Sequence, residues 1–80
     1  MTSVDELNAA VALYPNPATN SFTVHGNIKE VSVYDILGQC VHVDYDNVVN
    51  VSSWPEGLYF VRIVDGNDAV TTVKLLKQTN

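Results

Sequence analysis

His25 and His42 are the two histidines of the chain, and the first question is whether they hold a metal or move protons. They lie in different runs, His25 beside a turn and His42 on a polar strand face. A metal site would need further ligands, and no cluster of cysteine or glutamate at ligand spacing stands near them, so surface histidines are the simpler reading. Ser52 and Ser53 precede "WPEG" without the glycines that expose a nucleophilic serine on a sharp turn, which suits turn capping better than catalysis. Asp65, Asn67 and Asp68 offer calcium-type oxygens, but the run lacks the length and the closing glutamate of a calcium loop and reads as a solvated hairpin. Cys40 has no basic neighbour to activate its thiol and reads as a small packing or edge residue. Tyr14, Tyr34 and Trp54 would suit a ligand surface, although aromatics in a thin domain more often cover a core or an interface. The expectation is a protein without catalytic residues, cofactor or metal.

The elements that would hold these side chains are bounded by size. Eighty residues make one domain, and a chain of this length removes only roughly 60% of its unfolded surface on folding. With one cysteine there is no disulfide, so apolar residues must suffice, and 46% of the chain is hydrophobic. Valine is the commonest residue, which with threonine and tyrosine favours strands. The net charge is −5, and Arg62, Lys29, Lys74 and Lys77 are the only cations. That field has the wrong sign for nucleic acid. No apolar run approaches the ~20 residues that span a bilayer as a helix, so no transmembrane segment is expected. "MTSVDELNAA" lacks the basic start and apolar centre of a signal peptide. A single thiol fits either a reduced cytosol or a secreted protein that does without disulfides.

Turn signals recur at short intervals: "YPNPATN", "HGN", "DILG", "YDN", "SSWPEG" and "DGND". The runs between them are short and mostly alternate, which argues for an all-β sandwich or small barrel of about seven short, mainly antiparallel strands. Val31 and Val33 share one face with Ser32 on the other. Val41, Val43 and Tyr45 share a face opposed by His42 and Asp44. Tyr59, Val61 and Ile63 form the core side of their strand because Arg62 must reach water. Val73 and Leu75 face inward if Thr72 and Lys74 face outward. Asp35 first and Gly38 fourth in "DILG" suit a type I turn. Asp65–Gly66 reads as a two-residue hairpin turn. Pro55 presets φ in "WPEG", and Gly57 lets the chain swing into the next strand. Each proline of "PNPA" disfavours α geometry in the residue before it, keeping Tyr14 and Asn16 extended. Residues 1–10 read as a leader or expression-derived segment and residues 11–80 as the domain, and the stretch from Thr2 to Ala12 could form a short helical turn, a leading strand or a frayed end.

Four stretches, "LYPNPATNSFTV", "VSVYDILGQCV", "VSSWPEGLYFVRI" and "VKLLK", resemble in order the motifs of the C-terminal sorting domains of the type IX (Por) secretion system. The likeness runs from about Val11 to Lys77. It places the first motif on Pro15, Asn16, Pro17 and Ala18, and the second on Tyr34, Asp35, Gly38 and Val41. The third falls on Pro55, Gly57, Tyr59, Val61 and Ile63, and the terminal one on Lys74, Leu75 and Lys77. Asn20 stands where glycine is usual, which suggests a positive φ there. Trp54 replaces a usual leucine.

The resemblance implies a small immunoglobulin-like sandwich at the end of a secreted protein of the Bacteroidetes. Its partners would be a covalently attached N-terminal cargo, an outer-membrane translocon that reads the domain as an address, and a sortase-like enzyme. That enzyme commonly removes the domain and joins the cargo to surface lipopolysaccharide. The protein would pass through the periplasm and end secreted or on the cell surface, and Met1 would mark a trimmed piece rather than a natural start. Recognition is expected on the outward side of the last strand, at Thr72, Lys74 and Lys77. The alternatives are an adhesion or carbohydrate-binding module using exposed aromatics, and a cytosolic interaction domain beginning at Met1.

Overall fold

The computed structural model describes residues 12–79, so the expected segment 1–10 lies outside the described residues. Seven strands follow one another: β1 (Ala12–Tyr14), β2 (Ser21–His25), β3 (Ile28–Tyr34), β4 (Cys40–Asp44), β5 (Val48–Asn50), β6 (Gly57–Asp65) and β7 (Val70–Lys77). They form two antiparallel sheets, one in the order β1-β2-β5 and the other β4-β3-β6-β7. This is an all-β, immunoglobulin-like sandwich. Among the described residues no helix is long and apolar enough to cross a membrane.

Alternation decides what the core contains. Phe22, Val24, Val49 and Val51 from the smaller sheet meet Val31, Val33, Tyr59, Val61, Ile63 and Leu75 from the larger one. Val73 packs against this cluster from the side. The expected core phases of β3, β6 and β7 match this arrangement.

Strand β4 runs the other way round. Its register pairs His42 with Val33 and Asp44 with Val31, so the histidine and aspartate share the inner side with buried valines. Val43 pairs with Ser32 on the outer side and is exposed. The polar face expected to meet solvent is therefore the inward one. The reason is coverage: three strands face four, and the edge strand β4 meets the Trp54 corner, with the His42 and Trp54 rings 5.6 Å apart. A bulge adds to the irregularity, because the partner of β3 advances from His42 to Cys40 between Val33 and Tyr34.

Two tight turns share one construction. Gly38 N–H donates to the Asp35 carbonyl, and Asp68 N–H to that of Asp65, both at 3.0 Å. Asp35 Oδ1 accepts from the N–H groups of Leu37 and Gln39, and Asp65 Oδ1 from those of Asn67 and Ala69. The fourth residue of each is left-handed, Gly38 at φ +84° and Asp68 at φ +67°. These are type I turns closed by a left-handed residue, so the expected two-residue turn at Asp65–Gly66 is corrected to a longer one. Asn20 is also corrected: Asp68 is the one non-glycine at positive φ among the described residues. Gly38→Val is expected to cost about 1–2 kcal/mol from backbone strain alone, since open space surrounds an added Cβ. Asn20→Gly relieves no strain and gains nothing. Urea midpoints of the two variants check the ranking, and equal midpoints would contradict it.

Candidate functional site

The motif residues lie far apart in sequence but gather at one end of the sandwich. The first motif reaches β7 directly: Asn16 Nδ2–H donates to the Lys74 carbonyl at 2.7 Å, and Asn16 Oδ1 accepts from Leu76 N–H at 3.0 Å. Ala18 continues the contact, with its N–H on the Leu76 carbonyl and its carbonyl accepting from Gln78 N–H, both at 2.8 Å. A side-chain amide and one buried alanine thus stand in for a neighbouring strand. The Tyr14–Pro15 and Asn16–Pro17 peptide bonds are both cis, a feature that the sequence reading did not foresee.

Among the described residues strand β7 is an edge strand, and this cover reaches only from Lys74 onward. Backbone groups alternate sides along a strand, so Thr72 turns its own toward the same edge, beyond the cover. Asn16→Ala removes two bonds and is expected to lower the unfolding free energy by about 1–2 kcal/mol. Asn16→Asp should cost no less, because a carboxylate keeps the bond from Leu76 but faces the Lys74 carbonyl without a donor. Urea unfolding checks both, and a neutral alanine variant would show that the amide cover is dispensable.

The third motif folds over the end of the same strand. Tyr59 Oη–H donates to the Pro55 carbonyl at 2.7 Å, the back-bond of a tyrosine corner. The Trp54 ring lies 5.2 Å from the Tyr59 ring, and Trp54 N–H donates to the Val51 carbonyl at 3.0 Å. Glu56 Oε2 accepts from Thr79 N–H at 3.0 Å. Gly57, at φ +151°, opens β6 with a backbone that L side chains rarely adopt. Val61 and Ile63 then run into the core.

Lys77 departs from expectation. It lies on the inward parity with Val73 and Leu75, is only 3% exposed, and its Nζ donates to the Trp54 carbonyl at 3.3 Å. It fastens the "WPEG" corner to β7 and is absent from the outer surface. Thr72 and Lys74 are exposed, and their neighbours on the outward parity include Leu76 and, across the register, Phe60 and Leu58.

The second motif joins this end through a cleft of about 300 Å³ whose walls include Asp35, Trp54, Pro55 and Tyr59. Burial, and secondarily the charge of Asp35, push the Tyr59 phenol above its usual pKa. On β4, the hydrogen bond from His42 Nε2–H at 3.1 Å holds Asp44 below the usual carboxylate pKa, opposed by desolvation and aided by the N–H groups of Tyr45 and Asp46. No group of three or more metal-ligating side chains occurs among the described residues, and His25 stands exposed and apart from His42. Ser52 caps locally through its bonds to Asn50 Oδ1, and Cys40 is exposed at the edge.

Two curated proteins are similar to the chain. An endo-acting ulvan lyase of Formosa agariphila is 32% identical over 85 residues, covering 92% of this chain and 16% of the lyase. An ulvan lyase of Nonlabens ulvanivorans is 28% identical over 76 residues, covering 85% of this chain and 14% of the lyase. The chain therefore spans about one sixth of the length of these relatives. Residues 12–78, from the first strand to just past the last, match the family described as the secretion system C-terminal sorting domain, and the chain belongs to that family.

Proposed function

We propose that this domain is a non-catalytic sorting tail that directs a cargo joined to its N-terminal side across the outer membrane by type IX secretion. Family membership makes the parent a secreted or cell-surface protein. In this reading the parent crosses the inner membrane first and waits in the periplasm. An outer-membrane translocon then reads the folded domain, and a sortase-like enzyme removes it. The lyase activity of the relatives is assigned to the parts of their chains that this one does not span.

The observation that carries the reading is convergence. Asn16 and Ala18 and the Trp54 carbonyl all bind the second half of β7, although Asn16 and Leu76 lie 60 positions apart, and the Asp35 turn meets the other side of the Trp54–Tyr59 corner across the cleft. An address built this way exists only when the whole chain is folded, which suits a signal read as a surface. Thr72 and Lys74 are proposed as the contact residues because they lie on the exposed side of β7 beside its uncovered edge.

The test is a fusion. A periplasm-targeted fluorescent reporter carrying this chain at its C-terminus is expressed in a bacterium with a working type IX system. It is expected in the medium or on the cell surface, whereas the reporter alone stays in the periplasm. Retention of the fusion, with the domain shown to be folded, would overturn the reading.

A further inference from the structure

The cleft beside the tyrosine corner has a composition that the sorting role does not require. The 300 Å³ chamber is walled by the Trp54 and Tyr59 rings, Pro55 and Val41, with Asp35 and Ser53 supplying its polar side chains. A second chamber of about 150 Å³ shares Asp35 and Tyr59 with it and adds Glu56. Asp35 and Tyr59 are therefore common to the walls of both chambers. Asp35 Oδ1 is occupied by the N–H groups of Leu37 and Gln39, while Oδ2 has no hydrogen-bond partner among the described residues. Neither chamber is lined by a lysine, arginine or histidine, in a chain that already carries −5.

We propose that this cleft binds the side chain of a lysine or arginine presented by an extended peptide of a partner protein, with Asp35 taking the charge and the stem lying along the joined Trp54–Tyr59 wall. Aromatic walls attract a cation through the negative faces of their rings, and a long basic side chain lays its methylenes along apolar surface. The Trp54 and Tyr59 rings touch each other at 52°, with centroids 5.2 Å apart, so together they form one continuous angled wall along which a stem can lie. A carboxylate with a free oxygen supplies a charge-assisted acceptor. Size favours the same class, because drug-sized ligand pockets run roughly 300–1,000 Å³, and the larger chamber stands at the lower end of that range. A sugar ring would need several fixed donors and acceptors, and with the Tyr59 hydroxyl already spent on the Pro55 carbonyl the chamber offers the side chains of Asp35 and Ser53 and the Trp54 indole N–H. Trp54 stands where the family resemblance leads one to expect leucine, so the Trp54 half of the aromatic wall is a property of this chain, while Tyr59 belongs to the third motif. The inference is independent of the sorting reading, since a basic peptide would be held whether or not the domain is exported.

The test titrates the 80-residue chain with acetyl-Gly-Lys-Gly-amide, acetyl-Gly-Arg-Gly-amide, the isosteric norleucine peptide and cellotriose. Trp54, the single tryptophan, reports by fluorescence, and ¹H–¹⁵N spectra map the shifts. The basic peptides are expected to give saturable shifts around Trp54, Tyr59 and Asp35, with at least tenfold weaker binding of norleucine. Asp35→Asn keeps the Oδ1 acceptor of the turn and removes the charge, and it should weaken the basic peptides about tenfold. If that variant fails to fold, raising the salt from 20 to 500 mM on the parent chain makes the same separation, because charge-driven binding weakens with ionic strength. Binding that is equal for norleucine, or insensitive to both Asp35→Asn and salt, would overturn the proposal. So would a response at Trp54 to cellotriose without one to the basic peptides, which would assign the cleft to a glycan.

Discussion

Truncating Tyr59 to alanine is expected to lower the unfolding free energy by about 3–5 kcal/mol, as large aromatic-to-alanine changes in cores do. A domain of this length has a total stability on the order of 4–12 kcal/mol, so the variant should be largely unfolded at modest urea. Three losses combine. The ring is 7% exposed and packed among Val61, Leu75 and their neighbours in the core. Its contact with Trp54, at 5.2 Å between centroids, disappears and loosens the corner. Its hydroxyl leaves the Pro55 carbonyl. Tyr59→Phe separates these losses: it keeps the ring and removes only the back-bond, which predicts a cost of about 1 kcal/mol. Urea unfolding followed by Trp54 fluorescence distinguishes the two variants. A parental midpoint for Tyr59→Ala would mean that the corner and the inward face of β6 do not hold the sandwich together.

That corner shows how far alternation carries. In β6 the parity is decided by Arg62, which cannot be buried without a partner, so Tyr59, Val61 and Ile63 must be inside, and they are. Strand β4 offers no such arbiter. Valines occupy one parity and a His–Asp pair the other, and hydrophobicity alone sends the valines inward. What reverses the choice is non-local: a larger sheet overhanging a smaller one, and a tryptophan from a distant loop that accommodates an imidazole better than an aliphatic layer would.

The candidate site divides similarly. Its turn chemistry is written in neighbouring residues, such as Asp35 with Gly38, and was legible. Its edge chemistry is not, because nothing near Asn16 says that its amide will meet a strand 60 positions later. The cis bonds at Pro15 and Pro17 are equally silent in the sequence. Even the Asp65 turn, flagged by its dipeptide, takes a longer form, because Asp68 rather than Gly66 occupies the left-handed position.

Lys74 and Lys77 are the sharpest case, since alternation puts Lys77 on the side of Val73 and Leu75 and Lys74 on the other, and the two are predicted to behave oppositely. Lys77→Glu should cost about 3–5 kcal/mol, the range found when a buried charge loses its compensation. Here a carboxylate would take the place of a 3% exposed ammonium and face the Trp54 carbonyl, an acceptor opposite an acceptor. Lys77→Met keeps the methylene stem and drops the charge, so its cost is confined to one hydrogen bond, about 1 kcal/mol. Lys74→Glu lies on the exposed face and should change stability by only about 0.5 kcal/mol. Export then gives the second axis. A reporter carrying the Lys74→Glu tail is expected to fold and yet remain in the periplasm, because the sign of the charge that a partner meets beside the open edge of β7 is reversed. The Lys77→Met tail should be exported normally. The Lys77→Glu tail should fail at both steps, with loss of export that follows its loss of folding. Normal secretion of Lys74→Glu would remove this cation from the recognised surface and return it to the role of an edge lysine that discourages strand-to-strand aggregation. Normal stability of Lys77→Glu would mean that the inward end of β7 is more open than its burial indicates.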